Sequence, residues 1–277
     1  MRFKKYIYSI QKDISWLKYS KANIIQNLTY IIRKYYLIII GGDSVVYLGN
    51  NFAYDNINTP LTLQSYPEEI EFLNQYINFN KPCNILDIGA NIGQFSATIA
   101  SRHPNAKIYS FEANPDIFSH LSKNTRPYKN ITCINKAIGR KSILPFYYVR
   151  GYSCKGSFLR GNSVINLDNK ETKKIDIELI SLNTDICHKL NIPTKYQLTK
   201  IDVEGSEYDV LDGLKEIETN YLYLEISINR THNYSLVDLL SKVKTYYGEC
   251  DLLFCDEINV LSPEKTTANL LLKTSTS

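Results

Sequence analysis

A chain of 277 residues, 44% hydrophobic and 22% charged, has the balance of a soluble globular protein and the length for one α/β domain plus an extension. Its net charge of +4 is mild, permitting an anionic substrate or a membrane surface without demanding nucleic acid. Six cysteines without a CxxC pair and only four histidines give no zinc spacing, so the thiols read as reduced and the protein as cytoplasmic.

Residues 1–80 read differently from the rest. Ile7, Ile10, Ile14 and Leu17 recur at helical spacing and predict an amphipathic helix, with Arg2, Lys4, Lys5 and Lys12 as a solvated face. The opening "MRFKKYIYSI" lacks the uninterrupted apolar core and cleavage site of a secretory signal. The stretch "NIIQNLTYIIRKYYLIIIGG" is broken by Arg33 and Lys34 and falls short of the ~20 apolar residues that span a bilayer. "YYLIIIGGDSVVYLGN" predicts a hairpin turning at "GGDS". A helix should start at Ser65, with Pro67 in its first turn and Glu68, Glu69 and Glu71 favouring its positive end. Residues 1–80 are expected to form an extension that acts as a lid or a dimer contact, and residues 81–274 the main domain.

From residue 84 strands and helices alternate: "NILDIG", a helix through "GQFSATIASR", "KIYSFEA", a helix in "NPDIFSHLSKNT", and "ITCINKAIG" as a third strand. "LPFYYVR" and "KKIDIELISL" follow as strands around a polar insertion, then "QLTKIDVEG", the helix "SEYDVLDGLKEI", "YLYLEIS", a helix near "SLVDLLSKVKTYY", and the strands "CDLLFCDE" and "ANLLLKT". Such alternation implies a parallel sheet covered on both faces, whose ligands bind at the carboxyl ends of the strands.

Function is therefore sought at the strand tips. The first ends in Asp87-Ile88-Gly89-Ala90-Asn91-Ile92-Gly93, which is not the three-glycine fingerprint of a dinucleotide fold. An acid before the first glycine suits a ligand with a cationic centre and an amino-acid end better than a diphosphate. The second strand ends in Glu112, followed by Ala113, and an acid at this tip can accept hydrogen bonds from both hydroxyls of a ribose. Asn135 and Ala137, at the end of the third, are expected to border an adenine. The fourth carries Asp202, Glu204 and Glu207 around Gly205, where Asp202 should point into the cleft and Glu207 reads first as a favourable acid at a helix start. Glu225 closes the fifth, and His232 follows in a loop as an ambiguous candidate.

The blocks "LDIGANIG", "FEANP", "NKAIG" and "KIDVEGSE", in this order, resemble the FkbM family of S-adenosylmethionine-dependent methyltransferases over about residues 84–227. The resemblance implies a class I fold, a Rossmann-like, doubly wound sheet of seven strands with the last one antiparallel, here supplied by "CDLLFCDE" and "ANLLLKT" as a hairpin. It implies that Asp87, Gly89, Ala90, Asn91 and Gly93 hold the methionine end of S-adenosylmethionine, with the loop amides near its carboxylate. Glu112, Ala113, Asn135, Ala137 and Asp202 would complete that site. Many such enzymes carry a third glycine where Asn91 stands. The family is associated with hydroxyl methylation, so Asp202, Glu204, Glu225 and His232 are the candidates for the base. No metal site is predicted; a divalent cation between Asp202 and Glu225 is an alternative by fold-level analogy. The acceptor expected is a small sugar or nucleotide-sugar for a surface polysaccharide, the latter if Arg150, Lys155 and Arg160 face the cleft. A non-sugar natural product, or cofactor binding without turnover, remains as the other reading. No "[DN]PPY" signature or basic stripe supports amino-group or nucleic-acid methylation. No membrane span is expected, and a homodimer is the weaker expectation for residues 1–80.

Overall fold

The apolar run at residues 83–88 forms a strand whose last four residues are buried on both faces, as a central strand of a parallel α/β sheet requires. The computed structural model describes residue 32 and residues 44–54, 65–140, 142–149, 156–157, 172–229, 234–256, 259–262 and 265–275. The helix expected over residues 7–17, and the candidates His232, Arg150, Lys155 and Arg160, lie outside the described residues.

The first described element is a hairpin, β1 (Ser44–Tyr47) and β2 (Asn50–Ala53). It turns at Leu48-Gly49, both at positive φ, while the turn expected at "GGDS" falls largely outside the described residues. Two consecutive left-handed residues give the tight turn whose twist suits a two-residue hairpin. Helix α1 (Ser65–Leu73) comes next.

The main sheet is built from β3 (Cys83–Ile88), β4 (Ala106–Phe111), β5 (Ile131–Ile134), β10 (Lys195–Ile201), β11 (Glu218–Asn229), β12 (Cys250–Cys255) and β14 (Lys265–Thr274). Its spatial order is β12-β14-β11-β10-β3-β4-β5, with β13 (Asn259–Ser262) pairing β14 as well. Strands β11, β10, β3, β4 and β5 run parallel, and β14 is antiparallel to both neighbours, the expected seven-stranded, doubly wound arrangement. A second sheet, β6-β9-β7-β8, joins β6 (Ala137–Ile138), β7 (Ser142–Val149), β8 (Gly156–Ser157) and β9 (Thr172–Ile180).

"ITCINKAIG" is thus two strands, not one. The Asn135 side chain donates to the carbonyls of Glu112 and Ala113, and the Lys136 amide turns back to the Ile134 carbonyl. The chain leaves the main sheet there and enters the second.

Helices α2 (Gln94–Arg102), α3 (Pro115–Thr125), α4 (Thr184–Leu190), α5 (Glu207–Gly213) and α6 (Leu236–Tyr247) complete the layers. Local signals fix their starts. Asn114 caps α3 with Pro115 behind it, Asn183 caps α4, and Ser235 and Asp238 form a reciprocal capping box on α6. One core packs α1 and α2 on Ile85, Leu198, Tyr223 and Leu271. The other packs α4, α5 and α6 on Leu86, Ile201, Leu224 and Leu270. Ile70 and Leu73 of α1 are fully buried, each stabilising the fold by about 1.5–3 kcal/mol through removal from water. Asn124 of α3 donates to the carbonyls of Ala53 and Ile92 and accepts from the Ala53 amide, pinning the hairpin to the glycine loop. No described helix is long and apolar enough to cross a membrane.

Candidate functional site

At the tip of β3 the backbone must turn sharply before α2, and Gly89, Asn91 and Gly93 all take positive φ. A Cβ built on Gly89 would lie 1.8 Å from the Asp202 carbonyl oxygen, so only glycine lets this loop meet the end of β10. Asn91, at φ 52°, stands where a third glycine is often found because asparagine tolerates the left-handed region better than most residues.

The loop amides are already engaged. Those of Gly89 and Ala90 donate to the Phe111 carbonyl, that of Gly93 to Ala90, and that of Asn91 to the Glu112 carboxylate. Each of these four hydrogen bonds keeps the loop folded.

The acids present a different picture. Asp87 is fully buried; its Oδ2 accepts from Ser96 at 2.6 Å, and its Oδ1 has no partner. Burial raises its carboxyl above the usual range, against the nearby Lys200 ammonium and the Ser96 hydrogen bond. Glu112 accepts one backbone amide on each oxygen, from Asn91 at 3.0 Å and Asn114 at 2.9 Å. Burial pushes it up to about 7 even so. Each of its oxygens retains a lone pair. Ala113 packs against the second-sheet cluster to which the buried Ala137 belongs, and Asn135 buttresses the Glu112 backbone.

These groups fit S-adenosylmethionine. An unpartnered buried carboxylate oxygen matches an ammonium, and the free lone pairs of Glu112 match two ribose hydroxyls.

Beside this loop, at the ends of β10, β11 and β14, lies a cavity of about 270 Å³ lined by Asp202, Glu204, Glu225, Ser227, Asp256 and Asn269, among others. Three of the four catalytic candidates, Asp202, Glu204 and Glu225, are gathered here. Asp202 pairs with Lys200 at 2.8 Å and belongs to both regions, its carbonyl lying against Gly89. The charge of Asp202 and partial burial push Glu225 up to about 8, against the Lys200 cation. Glu204 holds φ 53°, an uncommon backbone for a non-glycine residue, of a kind that clusters at functional sites.

Glu207 does not join them. Its carboxylate accepts from the Gly205 amide at 2.9 Å and lies 3.3 Å from the Tyr234 hydroxyl, which braces the loop ahead of α5. Burial pushes it up to about 8.

Several residues escaped the sequence reading. Asp256 grips Asn269 through both its amide and its side chain, and the Asn269 Oδ1 is buried without a partner at the cavity wall. An acid closing an apolar strand was the available signal, the same that marked Glu225. Lys200 is only 3% exposed, and Glu69 of α1 interacts with it. Among the described residues no three His, Cys, Asp or Glu side chains gather in a way that could hold a metal ion.

A family model described as the methyltransferase FkbM domain matches residues 87–248. Methyltransferase 1 of Beauveria bassiana is 27% identical over 172 residues, covering 53% of this chain and 68% of that protein. Methyltransferase sdnD of Sordaria araneosa is 30% identical over 164 residues, covering 50% of this chain and 63% of its own length. Hexuronic acid methyltransferase AglP of Haloferax volcanii is 26% identical over 143 residues, covering 50% of this chain and 54% of its own length.

Proposed function

Because the chain belongs to the FkbM methyltransferase family and is a methyltransferase using S-adenosylmethionine, we propose that it methylates a hydroxyl oxygen of a sugar or nucleotide-sugar destined for a surface polysaccharide. The observation that carries this reading is the acid-lined cavity against the glycine loop. Its walls offer hydrogen-bond acceptors, from Asp202, Glu204, Glu225 and the unpartnered Asn269 Oδ1, and a polyhydroxylated ring is rich in donors. A relative whose name describes a hexuronic acid methyltransferase supports a sugar acceptor. The part of the acceptor seated in the cavity is neutral, since an anionic group would meet like charge; any phosphate or carboxylate stays at the mouth.

When bound, S-adenosylmethionine supplies an electrophilic methyl group on a sulfonium. Asp87 would hold the ammonium of its amino-acid end, and Glu112 its ribose hydroxyls. Glu225 takes the proton of the acceptor hydroxyl, at a carboxylate tuned close to neutral pH, where a general base works best. Glu204 and Asn269 orient neighbouring hydroxyls, and Asp202, fixed by Lys200, shapes the wall between the two halves of the site.

The test is transfer of labelled methyl from S-adenosylmethionine to a panel of free and nucleotide-linked hexoses and hexuronates, with non-sugar alcohols beside them. At least one sugar should be labelled at oxygen. Glu225→Gln should lower turnover by about 10²–10⁴-fold with cofactor affinity retained. In the unaltered enzyme kcat/KM should rise with pH and level off above about 8, as Glu225 gives up its proton. Turnover of non-sugar alcohols alone would replace the sugar reading. A Glu225→Gln variant with full activity would remove that residue as the base.

A further inference from the structure

The face of the main sheet beneath α1 and α2 is apolar except for one line. In the strand register Ser110 of β4 stands beside Asp87 of β3, Asp87 beside Lys200 of β10, and Lys200 beside Tyr223 of β11. Four polar side chains therefore cross four adjacent strands within a core of Ile85, Leu198, Ile99 and Leu271. The two covering helices each lower a polar group onto this line. Ser96 of α2 lies 2.6 Å from Asp87 and 2.7 Å from Ser110. Glu69 of α1 accepts from the Tyr223 hydroxyl and faces Lys200.

Lys200 is the cation of this group. Its ammonium reaches Asp202 at 2.8 Å and lies 5.4 Å from the centre of the Phe95 ring. An ammonium this far from water persists only if carboxylates hold it. Burial alone would lower it, yet Asp202, Asp87, Glu225 and Glu69 keep it well above its ordinary value.

Resting on the reading of Glu225 as the base, we infer that Lys200 and Glu69 are positioning residues: the cation sets how readily Glu225 ionises, and the helix from outside the family-matched segment sets the cation. Glu225 follows Tyr223 by two residues on β11 and so shares its face of the sheet. The charged groups around it are Lys200 from β10, Asp202 and Glu204 from the loop that follows it, and Glu69 from α1. From β14 the residue opposite is Asn269, neutral and tied to Asp256. Among these groups the cation on Lys200 favours the ionised base, while the acids favour the protonated one. Glu69 adds to the acid side and moderates the cation.

The experiment is a ¹³C titration of the glutamate carboxyls in the full chain, with the Glu225 signal identified by its loss in Glu225→Gln. Lys200→Met should raise the pH at which Glu225 ionises enough to lower its ionised fraction at neutral pH about tenfold. Lys200→Arg should restore most of it. Glu69→Gln should shift it the opposite way, to a larger ionised fraction. In methyl transfer at saturating S-adenosylmethionine, Lys200→Met should lower kcat and recover rate at higher pH, which a merely structural residue would not do. A Glu225 titration unmoved by Lys200→Met, in protein that still binds S-adenosylmethionine, overturns the inference. If Lys200→Met does not fold, Glu69→Gln decides in the same way, since α1 carries it at a partly exposed position. The titration needs no acceptor, so a failed acceptor screen bears on the proposed function and leaves this result standing.

Discussion

Each carboxylate oxygen has two lone pairs, and at Glu112 one on each oxygen is committed to a backbone amide, from Asn91 or Asn114. The same side chain that would hold the ribose therefore also fixes the turn that carries Asn91. Glu112→Gln keeps the shape but presents a donor to one of those two amides. Titration calorimetry should show S-adenosylmethionine affinity falling about 10–100-fold, the ~1.5–3 kcal/mol of a charged hydrogen bond. Unchanged affinity would remove Glu112 from the cofactor site. Residues such as Asp87, Glu112, Asp202 and Glu225 are legible in the sequence because a charge at the end of an apolar strand breaks the pattern. Lys200 and Glu69 are not. A lysine within "QLTKID" reads as the outward residue of an alternating strand, and Glu69 lies among Glu68 and Glu71, where acids suit any helix start. The register of β10 against β3 and β11 reveals that Lys200 points inward, and the contact of Glu69 with Tyr223 reveals the same of α1.

At the scale of elements, helix α1 lies within the extension expected over residues 1–80, and its Ile70 and Leu73 belong to the same core as Leu198 and Phe95. Ile70→Ala should destabilise the protein by about 2–5 kcal/mol in denaturant unfolding, the cost of a cavity in a packed core. A change below about 1 kcal/mol would mean that α1 is held loosely, as a lid would be. Most strands and helices of residues 84–274 were legible from apolar runs, but α4, seven residues behind its Asn183 cap, was too short to show a helical period and was not read. The break of "ITCINKAIG" into β5 and β6 was not, because it depends on Asn135 bonding to carbonyls of a neighbouring strand end. The hairpin expected at "GGDS" falls largely outside the described residues, and the turn at Leu48-Gly49 was not legible because leucine gives no signal for left-handed backbone.

For the molecule as a whole, the raised acids add up to a pH dependence of stability. Glu69 and Glu112 are pushed up to about 7, and Glu207 and Glu225 to about 8, all from an unfolded value near 4.5. Between those limits the folded protein binds protons that the unfolded chain has released. Stability from these groups is thus fully present below about 4.5 and lost as pH rises through 7 and 8. Calorimetric melting of the cofactor-free protein should be at least about 4 °C lower at pH 8.5 than at pH 6. A higher melting temperature at pH 8.5 would contradict the raised carboxyls of these four residues.

The position of β14 has a consequence for how the protein is made. This strand is inserted between β11 and β12, both of which precede it in the chain, and it supplies Asn269 opposite Glu225. After β11 has emerged from the ribosome and until β14 follows it, β11 carries an open edge with its row of unpaired amides and carbonyls. The acid-lined cavity does not exist at that stage, since Thr267, Ala268 and Asn269 form one of its walls. The nascent chain can fold its glycine loop and Glu112 early, and so become able to bind S-adenosylmethionine before it is able to use it. A chaperone that shields strand edges should accordingly engage translation intermediates in this interval and release them once β14 emerges and closes the sheet.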